Sequence, residues 1–197
     1  MEDIKFETLL RLDIDDLHHA CLVDKSSLSI CHNNYFWQQK FEYDHVPLLV
    51  DTLPQSISEW IKEYKRAARA YDKAHLILSI QREAKRHQPK NLIMLTIKEK
   101  DINIFISLLQ PFFDTQEYID MINILNNPQF VNFSIDILYI KYNHYRLQFF
   151  YIDDADNTGY TISSNVLSYN NMISLLTLLL YEMPDSEILD ALSNYYI

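Results

Sequence analysis

Residues Ile4 to Phe41, IKFETLLRLDIDDLHHACLVDKSSLSICHNNYFWQQKF, decide how the front of this chain folds. An apolar stretch ends in Leu12, and Ile14 and Leu17 follow around an Asp-rich step. Ala20, Leu22, Val23, Leu28 and Ile30 come next, and Tyr35, Phe36 and Trp37 close the segment. The spacing predicts three short helices folded into one small cluster. Asp13 to Asp16 stands where a helix should begin, because carboxylates cap and complement a helix N-terminus.

Beyond that segment, Val46-Pro47 and Leu53-Pro54 punctuate a connector, since the residue before a proline is pushed out of helical geometry. From Ser58 to His87, Trp60, Tyr64, Ala67, Tyr71, Ala74 and Leu78 recur at intervals of three and four and form one apolar stripe. Ser56 or Ser58 can cap this helix, with Glu59 in its first turn. Lys62, Arg66, Arg69 and Lys73 repeat out of phase with the stripe and define a basic face. That face is either simply solvated, as charged faces usually are, or a dock for an acidic partner. Gln88-Pro89 ends the helix.

Leu92 to Lys98 reads as a strand and Asp101 to Gln110 as a short helix. Asp114 to Glu117 has the form of a capping box, opening a helix through Leu125 with Tyr118, Met121, Ile122 and Leu125 inward. Asn126-Asn127-Pro128 stops it. Ile135–Tyr142 and Leu147–Ile152 read as paired strands joined through Asn143-His144, with a third strand near Tyr160 to Ser163. Ser168 caps a helix through Tyr181, and Asp185 caps a last one reaching Tyr195. The expectation is therefore an α+β chain in three parts: a helical module over 1–45, a connector and long amphipathic helix over 46–90, and a C-terminal domain over 91–197. The last part should hold a small, mainly antiparallel sheet with flanking helices.

The order of features in the first forty-five residues resembles the F-box. The hydrophobic step is Leu12-Asp13-Ile14-Asp15-Asp16-Leu17, the V-x-K is Val23-Asp24-Lys25, and the closing aromatic pair is Phe36-Trp37. The wording D-I-D-D-L, A-C-L-V-D-K and N-N-Y-F-W-Q-Q-K-F looks similar to F-box proteins of large nucleocytoplasmic DNA viruses. The usual Leu-Pro opening is missing, with Met1 where the proline would fall. The resemblance implies a non-enzymatic adaptor that binds the Skp-family subunit of a cullin–RING ubiquitin ligase and recruits a substrate protein. Leu9, Leu12, Ile14, Leu17 and Trp37 match positions that form or support the adaptor-binding surface. Leu9 and Leu12 should then be partly exposed and Trp37 buried. A viral structural or assembly protein, using the same bundle against other virion proteins, is the alternative.

Composition narrows the remaining classes. The chain has 197 residues, 48% hydrophobic and 13% aromatic, which permits a substantial core. Its single glycine, Gly159, excludes phosphate-cradling loops that need several glycines for close backbone approach. A net charge of −10 opposes binding to nucleic acid or to anionic membrane surfaces. The two cysteines, Cys21 and Cys31, read as buried thiols of a reducing compartment, in a chain without a signal peptide. The expectation is a soluble intracellular protein, in the host cytoplasm, a virus factory or a virion.

No pattern nominates a catalytic group, metal or cofactor. His18, His19, Cys21, Cys31 and His32 lack the paired spacing of a zinc site. Asp154-x-Asp156-x-Thr158-Gly159 resembles the start of a calcium loop, but Asn165 stands where the bidentate glutamate belongs. The same letters resemble a D-x-D-x-T phosphatase nucleophile, yet no lysine follows Lys141 to neutralise a phosphoryl group. A hairpin turn with Gly159 at positive φ accounts for the cluster, with a weak calcium contact as the alternative.

Overall fold

Local cap chemistry sets most of the helix boundaries. In the computed structural model, residues 2–87, 93–97, 107–125, 133–153 and 158–182 are described. The segment read as three helices forms four: α1 (Glu2–Leu10), α2 (Ile14–Cys21), α3 (Lys25–Cys31) and α4 (Asn34–Tyr43). The apolar stretch ahead of the Asp-rich step is a helix in its own right. Each of the next three opens on its own cap. Asp13 accepts from the backbone N–H of Asp15 and Asp16, Asp24 from Ser26 and Ser27, and Asn33 from Tyr35. Each side chain thereby satisfies one or two of the donors that a helix start leaves open.

The connector over residues 46–56 is non-helical, and α5 (Ile57–His87) follows. It is opened by a complete capping box. Glu59 N–H donates to Ser56 Oγ at 3.2 Å, while the Glu59 carboxylate accepts from the backbone N–H of Ser56 and Gln55. The expected stripe is the buried face: Trp60, Tyr64, Ala67, Ala74 and Leu78 are all buried and Tyr71 is half-buried.

The chain divides into two compact units, residues 1–72 and 73–197, with the boundary inside α5. The first unit is built on aromatics. Trp37 lies parallel to Trp60 with ring centroids 5.8 Å apart, Phe36 meets Trp37 edge-on, and Phe41 meets both Trp60 and Tyr64 edge-on. Rings of this size dominate a small core through the area they bury.

In the second unit, β1 (Ile93–Ile97), β2 (Phe133–Lys141), β3 (His144–Asp153) and β4 (Thr158–Ser168) form an antiparallel sheet in the order β1-β2-β3-β4. Together with the helices this makes the chain α+β. Alternation sets the core face: Tyr145 and Leu147 of β3 are buried, with half-buried Arg146 between them. Ile137 pairs with Leu147 and Leu167 with Tyr145, and both partners are buried on that face. Helix α6 (Thr115–Leu125) is capped by Asp114, which accepts from Gln116 N–H at 3.0 Å. Helix α7 (Tyr169–Glu182) packs on β3 and β4 and has Met172, Leu175, Leu176 and Leu179 buried, with Ser168 Oγ accepting from Asn171 N–H.

Two turn expectations change. The β2–β3 hairpin turns at Tyr142-Asn143, one residue before the expected site, and both residues have positive φ (50° and 58°). A two-residue turn needs that geometry at both central positions to match strand twist. Gly159 is not a positive-φ turn residue; it pairs with Ile152 inside β4. Of the helix expected over Asp101–Gln110, a helical turn over 107–109 and a 3-10 turn over Gln110–Phe112 fall among the described residues. The centre of the Asp-rich turn, residues 154–157, and the helix expected after Asp185 lie outside them.

Candidate partner-binding site

The five residues singled out at the N-terminus sit at different depths. Leu17 and Trp37 are fully buried, as supporting residues of the bundle. Leu12 and Ile14 are half-exposed at the junction of α1 and α2. Leu9, expected at the surface, is instead 4% exposed. It and Leu10 both face inward in the last turn of α1, so the available apolar pair is Leu12 and Ile14 rather than Leu9 and Leu12.

That junction is held by a residue the sequence reading passed over. Lys40 of α4 is buried, and its ammonium donates to the carbonyls of Leu10 at 2.8 Å and Leu12 at 2.6 Å. A cation at a helix C-terminus satisfies carbonyls that have no partner within the helix and complements the helix dipole. The same ammonium lies 2.8 Å from the Asp44 carboxylate, one helical turn on. Tyr64 of α5 donates its hydroxyl to Asp44. Burial and the adjacent carboxylate push the Tyr64 phenol above its ordinary pKa, so it stays a hydrogen-bond donor. Lys40, Asp44 and Tyr64 thus form a charged chain that fixes the end of α1 against α4 and α5. Across the junction, the Asp13 carboxylate has its pKa lowered, chiefly by the Asp16 N–H that it accepts.

Cys21 and Cys31 are joined by a disulfide, which corrects the expectation of two thiols. Each cysteine ends a short helix, and both are fully buried. The Cys31 carbonyl accepts the Trp37 indole N–H at 2.8 Å, so the bridge and the buried ring are coupled directly. The linked segment begins with Leu22 and Val23, which are 61% and 77% exposed. Asp24 follows them and is paired with Lys5 of α1 at 2.6 Å. The Lys5 ammonium and the Ser27 N–H hold the Asp24 carboxyl down at about 2. Ile4 and Tyr35 are further exposed apolar side chains of this unit, and the Tyr35 ring stacks on Phe6.

Of the basic face, Lys62, Arg66 and Arg69 are exposed in the first unit, and Lys73 is half-buried in the second. Arg66 lies 3.8 Å from Glu63, a loose pair on its own helix. Lys65, outside the face as read from sequence, pairs with Asp15 of α2. Among the described residues, no group of three or more His, Cys, Asp or Glu side chains could hold a metal ion. No helix among them is long and apolar enough to cross a membrane. No protein-family model, curated protein or solved structure matches the chain.

Proposed function

We propose that the first unit is a non-enzymatic, F-box-like docking module through which the chain recruits a substrate protein to a Skp–cullin–RING ubiquitin ligase. The observation that carries this reading is the α1–α2 junction. Leu12 and Ile14 are half-exposed, and their backbone is held by Lys40 on one side and the Asp13 cap on the other. Apolar side chains on a backbone already fixed in place lose little freedom on docking, which favours binding. Trp37 and Leu17 are fully buried and support the same bundle. The second unit then selects the substrate, and the protein works in the host cytoplasm or a virus factory. On this reading the basic face of α5 is an accessory dock for an acidic partner surface.

A second reading is favoured by the Cys21–Cys31 disulfide. Structural disulfides rarely persist in a reducing cytosol. A chain that keeps one suits a viral structural or assembly role, with the bundle contacting other virion proteins. Affinity purification from expressing cells tests the first reading. Co-purification of a Skp-family subunit with a cullin supports the adaptor, and recovery of virion proteins without them rejects it in favour of assembly.

A further inference from the structure

The second unit contains a cleft of about 300 Å3 that the docking module does not explain. His75, Ser79 and Arg82 of α5 line one side, with Tyr145 of β3, Tyr169 of α7 and the apolar Leu78 around them. His75, Ser79 and Arg82 stand at i, i+4 and i+7 and therefore share one helix face. The volume is at the lower end of small-molecule sites.

The chemistry of the lining selects the charge of a ligand. The chain carries 27 acidic and 17 basic residues, yet among the described residues no carboxylate lines this cleft. Arg82 is exposed and makes no ion pair or hydrogen bond with any described residue. Its guanidinium is a permanent cation whose N–H groups form a fork matched to two oxygens of one anion. The other polar groups are ordered around it. The Tyr169 hydroxyl lies 2.6 Å from His75 Nδ1. The pair shares one hydrogen bond, donated by the phenol when Nδ1 is unprotonated and by Nδ1–H when it is not. The Ser79 hydroxyl donates to the Leu76 carbonyl at 2.8 Å and can rotate toward a ligand. Tyr145 is buried and donates to the Leu78 carbonyl, which ties the cleft floor to α5.

We infer that this cleft binds a small molecule through an oxyanion group, a carboxylate or a phosphoryl, with Arg82 as the anchoring cation. Titration calorimetry on the full chain tests it with phenyl phosphate, benzoate and the neutral analogue phenol. At least one anion should bind saturably, at one per chain, with a Kd of about 1 mM or below. Whichever anion binds more tightly identifies the oxyanion class. Phenol should give no saturable heat. Arg82→Gln should weaken the anion by about tenfold or more, and Arg82→Lys, which keeps the charge but not the fork, by less. Lys25→Gln removes one exposed positive charge in the first unit and should leave binding unchanged. Melting curves matched to wild type establish that each variant is folded. The inference is overturned if neither anion binds up to about 10 mM. Equal binding of phenol, or an equal loss in Lys25→Gln, overturns it too.

Discussion

Reducing the Cys21–Cys31 bond, or replacing both residues with alanine, should destabilise the first unit by an amount set by the loop it closes. The two cysteines are 10 residues apart. Closing a loop of that size removes about 9 cal/mol/K of entropy from the unfolded chain, or about 2.7 kcal/mol at 25 °C. For a chain of this length unfolding cooperatively, that corresponds to a fall in Tm of about 5 to 11 °C. The chain's two tryptophans, Trp37 and Trp60, are stacked in this unit, so tryptophan emission reports on it selectively. Urea titrations followed by that emission, with and without a dithiol reductant, should show a lower midpoint in the reduced protein. Thiol counting in denaturant should find none before reduction and two after it. Free thiols in the untreated protein, or superimposable unfolding curves for the two states, would refute the reasoning.

Lys40→Met should cost about 3 kcal/mol or more, measured by the same urea titration, because it leaves the Asp44 charge without its ammonium and the Leu10 and Leu12 carbonyls without that donor. An unchanged midpoint would show that the charged chain does not hold the bundle. Asp24 gives a pH signature of known sign. Its carboxyl is depressed to about 2 from 3.8, so its stabilisation is complete above the unfolded value and fades as pH falls through the folded one. Between about pH 4 and pH 2, wild type should lose more stability than Asp24→Asn; parallel acid-unfolding curves would contradict this. Gln81 is 2% exposed and its Nε2 finds no hydrogen-bond partner among the described residues. Gln81→Met should therefore be neutral or stabilising by up to about 1 kcal/mol in thermal melts, and a marked loss would reveal a bond to that amide.

What could be read in the sequence was what depends on near neighbours. The Asp13, Ser56–Glu59, Asp114 and Ser168 caps act within a single turn of their own helices, so residue type and spacing were sufficient. The α5 stripe and the strands of the meander were legible for the same reason, since a period of 3.6 or 2 is a local signal. Asp24 and Asn33 carried that signal as well, and reading them as caps separates the front segment into its true helices. The hairpin register was harder: Tyr142 in a left-handed conformation has no strong sequence mark, whereas Asn143 beside it does.

The site was less legible because its contacts are long-range. Lys40 reaches carbonyls 28 and 30 residues back along the chain, and nothing in a lysine's neighbours distinguishes a buried ammonium from a solvated one. Leu9 and Leu12 look alike in a sequence; only the inward turn at the end of α1 assigns one to the core and the other to the surface. The disulfide depends on two short helices ending side by side. The cleft brings Tyr169 to His75 across 94 residues, and no periodicity encodes that meeting.

The most direct test of the docking module is a binding titration of the purified chain against a purified Skp-family subunit, run with the disulfide oxidised and reduced. The account predicts saturable one-to-one binding at tens of micromolar or tighter, on the order expected of a weak specific complex. The Leu12→Asp/Ile14→Asp double variant should abolish that binding while tryptophan emission stays that of the folded bundle. No binding by either redox form at those concentrations, or full binding by the double variant, would contradict the account.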